Sequence, residues 1–173
     1  MKRILLAIIV LLFITTLVKS QSVSQVGFIM KKSVSDLKEI VILVAENQKK
    51  TALKQAKMAQ VITRKKFSVY PIKKKIDIVK KIRMITKRRN VAVYIITDDN
   101  FFKPDTIKTI SDKLNTKKIA LFTNRDKDTM VGAMFAVFKK DGKLEKHVNL
   151  ITASILKITI PAEYLKKCII DVE

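Results

Sequence analysis

Short uninterrupted apolar runs punctuate the chain at residues 40–44, 91–96 and 119–122. Runs of this length, rich in β-branched residues, predict strands buried on both faces. Between them lie longer stretches with helical spacing. In the first, Leu53, Ala56, Ala59, Gln60 and Thr63 fall on one face, with Lys49, Lys50, Lys54 and Lys57 elsewhere. In the second, Ile76, Val79, Ile82 and Ile85 recur every third residue and predict the buried side. In the third, Pro104 suits a first helical turn, and Ile107, Ile110 and Leu114 form the apolar stripe. A weaker strand is predicted near residues 67–70, where Phe67, Val69 and Pro71 suit a sheet edge.

After residue 122 the rhythm changes. Residues 134–138 and 144–148 read as two strands of a hairpin, joined through Asp141-Gly142. That dipeptide favours a turn with positive φ at both positions. Two short helices are expected to close the domain, over residues 150–156 and, after Pro161, over 162–168. Buried strands alternating with helices predict an α/β fold. The expected form is a three-layer βαβ sandwich, Rossmann-like or flavodoxin-like. It has a mostly parallel sheet, a C-terminal β-hairpin and helices.

The first residues read differently. Lys2 and Arg3 precede an uncharged apolar run over 4–18, and Val18-Lys19-Ser20 ends it with residues suited to signal peptidase. We therefore expect a signal peptide over 1–20, with cleavage after Ser20 or Ser22. An N-terminal extension over 21–36 and a single domain over 37–173 follow. The run is short of the roughly 20 apolar residues a spanning helix needs, although an uncleaved membrane anchor remains the other reading. Export places the domain in the periplasm or an equivalent compartment.

Composition changes this picture in two ways. The 173 residues hold a single cysteine, Cys168, and a single histidine, His147. An intramolecular disulfide and an ordinary zinc site are thereby excluded. The formal net charge is +21, and a leader ending at Ser20 takes only Lys2, Arg3 and Lys19 with it. Basic runs stand at Arg64-Lys65-Lys66, Lys73-Lys74-Lys75 and Lys87-Arg88-Arg89. Such a surface attracts polyanions, although lysine is also the ordinary solvated residue. Aromatic residues are not interleaved with these runs, which disfavours nucleic acid as a partner.

Candidate chemistry is confined to the loops expected at the carboxyl ends of the strands, where parallel α/β sheets bind ligands. Glu46 and Asn47 follow the first strand. Thr97, Asp98, Asp99 and Asn100 follow the central one, and Asn124, Arg125 and Asp126 the next. Their carboxylates suit a ligand amine or a hard cation, and Asp98 or Asp99 equally suits a helix cap. Phe101 and Phe102 are adjacent and cannot both face one core. Either one ring meets a ligand or partner, or one is buried and the other lies on a neighbouring helix. The chain has no phosphate loop, nucleophile elbow, paired histidines or Cys-His pair. No cofactor is called for, and no catalytic residue is assigned.

Val148-Asn149-Leu150-x-x-Ala153, then Ile158-Thr159-Ile160-Pro161-x-x-x-Leu165, resembles the closing segment of a family of ABC transporter substrate-binding proteins. Residues 91–100 (VAVYIITDDN), residues 118–123 (KIALFT) and the pair Gly132-Ala133 resemble further pieces of that family in the same order. The resemblance covers roughly residues 38–173 and corresponds to the second of the two lobes such proteins close around a ligand. Gly132 to Val148, with Asp141-Gly142 at its turn, is also similar to the YfiR-like family of small periplasmic proteins that restrain a membrane diguanylate cyclase. YfiR-like proteins often carry paired cysteines, which this chain lacks.

The first resemblance implies a non-catalytic exported binding domain taking a small molecule at the rim, or a permease. The second implies a regulator docking on a membrane signalling enzyme. A homodimer across the open edge fits the first. The charge alone supports a third reading, a cationic binder of anionic polymer or membrane.

Overall fold

A computed structural model describes residues 23–171; the expected leader lies outside the described residues. The chain forms helix α1 (Val23–Ser33), strand β1 (Glu39–Ala45), α2 (Lys49–Thr63), β2 (Lys66–Ile72), α3 (Lys75–Ile85), β3 (Val91–Ile95) and α4 (Pro104–Asn115). It continues with β4 (Leu121–Thr123), β5 (Phe135–Lys140), β6 (Lys143–Asn149), α5 (Leu150–Leu156), α6 (Ala162–Leu165) and β7 (Ile169–Asp171). Short 3-10 turns follow β1 (Glu46–Gln48) and β4 (Asp126–Val131).

The strands make one sheet in the order β2-β1-β3-β4-β5-β6-β7. Pairings from β2 through to β5 are parallel, β5 and β6 are antiparallel, and β7 returns parallel to β6. The expected α/β fold with a mostly parallel sheet and a late hairpin is therefore present. Asp141 (φ 49°) and Gly142 (φ 77°) both take positive φ, as a two-residue hairpin loop requires. Pro71 is tolerated because β2 is an edge strand.

Strand alternation builds two cores. Ile40, Ile42, Val44, Ala92, Tyr94 and Phe122 point to the face covered by α1, α2 and α5. Val41, Leu43, Val93, Ile95 and Leu121 point to the face covered by α3 and α4. Phe122 and Phe135 stack with centroids 5.2 Å apart.

Two helix faces differ from expectation. In α2 the buried residues are Ala52, Ala56, Ala59 and Thr63, whereas Leu53 and Gln60 are exposed. The buried face is made of small residues because α1 packs beside it. In α3 the buried set is Ile78, Ile82 and Ile85, while Ile76 and Val79 are exposed. A strict every-third pattern drifts around a helix of 3.6 residues per turn. Ile76 and Ile85 therefore end about 180° apart, and the 4,3 spacing from Ile78 holds one face. In α4, Ile107, Ile110 and Leu114 are buried as expected, with Pro104 in the first turn.

Two elements were not expected. The stretch 21–36 carries α1, whose Val23, Val26, Ile29 and Met30 belong to the first core. The last helix stops at Leu165, and the residues after Cys168 form β7 instead.

Candidate functional site

The strands β1, β2, β3 and β4 run in one direction, so their carboxyl ends share one rim. The crossover after β1 carries α2 on one face and the crossover after β2 carries α3 on the other. The strand order consequently reverses between β1 and β3, which is where such sheets open a crevice. Ile96 N–H donates to Leu43 O at 3.0 Å, holding the two strands together up to that point.

Every expected rim residue except one lies in a loop of this edge with accessible surface. Asn124 Oδ1 accepts from both the backbone N–H and the hydroxyl of Thr97, each at 2.7 Å. That pair ties the β3 loop to the β4 loop. Asp98 does not cap α4. Its Oδ1 accepts from Asn100 N–H at 3.0 Å, and its carbonyl accepts from Phe101 and Phe102 N–H, so it shapes a tight turn. The residue preceding α4, Lys103, makes no side-chain cap.

Arg125 is the hub of the far side. Its Nε donates to Asp128 Oδ1 at 2.9 Å, one Nη to Asp99 Oδ1 at 3.0 Å and the other to Phe102 O at 2.7 Å. Asp99 is otherwise fully in solvent, its side chain 94% exposed. Asp128 is the opposite case, completely buried. Burial pushes its carboxyl above the usual range, against the opposing pull of Arg125. Its Oδ2 has no hydrogen-bond partner.

At the β1 end, Glu46 Oε1 meets Lys49 Nζ at 3.7 Å and Lys73 Nζ at 3.9 Å, while Glu46 Oε2 and Gln48 Oε1 are buried without partners. Asn47 is exposed. The two phenylalanines separate. Phe102 is entirely buried in the second core and is not available to a ligand, a correction to its place among the rim residues. Phe101 is half-buried over a notch of about 260 Å³ shared with Ile78, Val79 and Ile82 of α3 and Ile110 of α4.

Sequence reasoning did not single out Asp128 or Gln48. Asp128 stands two residues beyond the residue 124–126 cluster, and its three-residue spacing from Arg125 was the available signal. It also missed a polar knot beside the β4 loop. There Asp171 Oδ2 accepts from Thr129 Oγ1 at 2.5 Å and lies 3.1 Å from His147 Nδ1, while Asn149 Nδ2 donates to Thr129 O at 2.9 Å. Cys168 is half-buried, with Sγ 3.1 Å from Tyr164 O, and burial raises its thiol. Among the described residues no cluster of three His, Cys, Asp or Glu could hold a metal ion, and no helix is long and apolar enough to cross a membrane.

The rim therefore offers hydrogen-bond donors and acceptors and side chains of both charges. A cavity of about 730 Å³ lies elsewhere, between α1, the end of α2, β6 and α6.

No family model matches the chain, and no curated protein matches it. Solved structures do. A conserved domain protein from Vibrio cholerae O1 biovar El Tor superposes with a TM-score of 0.73 at 15% identity, over 87% of this chain. The ABC domain from Streptococcus pneumonia in complex with L-Trp gives 0.73 at 14% identity over 86%. A substrate-binding protein with adhesive properties from Clostridium difficile, in its ligand-free open form, gives 0.72 at 12% over 88%. In each case the chain spans 60% of the other protein's length. At these identities the likeness shows architecture alone: this chain has the fold of one domain of the ABC substrate-binding proteins.

Proposed function

We propose that this chain is an exported, non-catalytic binding domain that takes a small amine-bearing molecule at the carboxyl rim of its sheet. The observation that carries the reading is the rim itself. Thr97 and Asn124 are locked together beside the β1–β3 reversal, with Asp98 supplying negative charge. Export is supported by the positive start and apolar run of residues 2–18. The fold shared with the L-Trp complex supports a free amino acid as the ligand class. A carboxylate such as Asp98 pairs with the ligand ammonium, and the Thr97–Asn124 pair orients it by hydrogen bonds.

The test exploits a feature of the composition. The chain contains no tryptophan, so the emission of added L-tryptophan reports its own binding, and other L-amino acids can be ranked by displacement. One open rim buries one side of a ligand, so a dissociation constant of about 1 mM is expected. Asp98→Asn keeps an acceptor for Asn100 N–H but removes the charge, and weakens binding by about fivefold or more. Asn124→Ala does the same by releasing Thr97. Binding that ignores both substitutions, or no binding across the set, contradicts the reading.

A further inference from the structure

The outer face of α1 and α2 joins two helices that carry no carboxylate of their own. Lys31, Lys32, Lys49, Lys50, Lys54 and Lys57 all project from them. Among the described residues only Lys49 of this set meets a carboxylate, in an exposed pair with Glu46. Arg64 and Lys65 follow directly. The opposite helical layer is mixed in sign, with Asp77 on α3 and Asp105 and Asp112 on α4.

Large apolar side chains stand among these lysines. Val61 is 80% exposed, Ile62 59%, Met58 57% and Phe28 44%. On a helical wheel Lys50, Lys54, Lys57 and Val61 share one stripe, with Met58 and Ile62 on its flank. Phe28 and Ile62 line the mouth of the 730 Å³ cavity, which extends the apolar surface inward to Leu144 and Tyr164.

We propose that this face docks on an anionic phospholipid bilayer, the aliphatic side chains entering the headgroup boundary and the lysines pairing with lipid phosphates. Lysine interleaved with exposed aliphatic residues is the composition of interfacial surfaces. A protein partner fits less well, since lysine is depleted from protein–protein interface cores. Nucleic acid fits less well too, since Phe28 is the single aromatic residue within α1 and α2. The face is distinct from the carboxyl rim, so the proposal stands or falls separately from ligand binding.

The test uses the chain from residue 21, the form expected after cleavage at Ser20. Its sedimentation is measured with phosphatidylcholine vesicles, with and without phosphatidylglycerol. Wild type is expected to partition onto the anionic vesicles by about tenfold or more over the neutral ones, and to lose this as salt is raised. Val61→Asp is expected to lower partitioning about tenfold. Lys54→Glu with Lys57→Glu does so by about tenfold or more, whereas Lys108→Glu with Lys117→Glu changes it by less than about twofold. All of these positions are exposed, and an unchanged unfolding midpoint verifies each fold. Equal binding to both vesicles overturns the proposal. So does an equal loss in the Lys108/Lys117 pair, which reports net charge, or full retention by Val61→Asp, which reports charge without insertion.

Discussion

Gly132 ends the 3-10 turn after β4 at φ 101°, a conformation that side chains with a Cβ rarely adopt. A methyl group there would lie 2.7 Å from Ser111 Oγ, which donates to the Gly132 carbonyl at 2.6 Å. Gly132→Ala should therefore cost about 2–3 kcal/mol through strain and overpacking, read as a lowered midpoint in urea unfolding. An unchanged midpoint would mean that the turn rearranges freely. The same residue is one of those by which the sequence resembles the substrate-binding family, and the close approach to α4 supplies a physical reason for it.

Glu39 sets the acid behaviour at the other end of the sheet. Burial alone would raise its pKa, but the bond from Ser68 Oγ at 2.5 Å and the charges of Arg88 and Lys66 outweigh it. The carboxyl is held below its ordinary value of 4.5. A depressed carboxylate contributes stability that is complete above the unfolded-state pKa and is lost as pH falls through the folded one. Melting temperature should accordingly drop as pH falls below about 4.5. Glu39→Gln should flatten part of that acid limb while lowering the neutral-pH plateau. A variant with an unaltered acid slope would contradict the assignment.

At the scale of elements, Asn149 joins three of them. Its Oδ1 accepts from Thr152 N–H at 2.8 Å and caps α5, its Nδ2 reaches Thr129 O, and it closes β6. Asn149→Ala leaves a buried carbonyl and a helix start without partners. A loss of about 2–3 kcal/mol is expected by chemical denaturation, against a few tenths for a surface asparagine such as Asn47.

Elements with strong local signals were legible in the sequence: the apolar runs of β1, β3 and β4, the Asp141-Gly142 hairpin and the Pro104 start of α4. Those defined by tertiary partners were not. The α2 face is chosen by the approach of α1, so alanines won over Leu53. The short edge strand β7 is held by β6, not by its own pattern. The rim loops could be located because parallel connectivity forces them to one edge. The division of labour within them could not, because Phe102 and Asp128 are buried by contacts distant in sequence.

At the scale of the molecule, the sheet separates two surfaces of different character. The carboxyl rim is polar, of mixed sign, and braced by Arg125 and the Thr97–Asn124 pair. The α1–α2 face is cationic and studded with aliphatic side chains. A domain lying on a bilayer by the second would present the first sideways, free to meet a solute.

The most direct test of the rim is a map of backbone amide chemical shifts of the isotopically labelled chain as the best-binding free amino acid is added. The account predicts that perturbed amides concentrate in residues 45–48, 96–103 and 124–128, and that Asp98→Asn moves the same titration to ligand concentrations about fivefold or more higher. Perturbations centred on the cavity between α1 and α6, or spread without regard to the sheet's carboxyl edge, would contradict it.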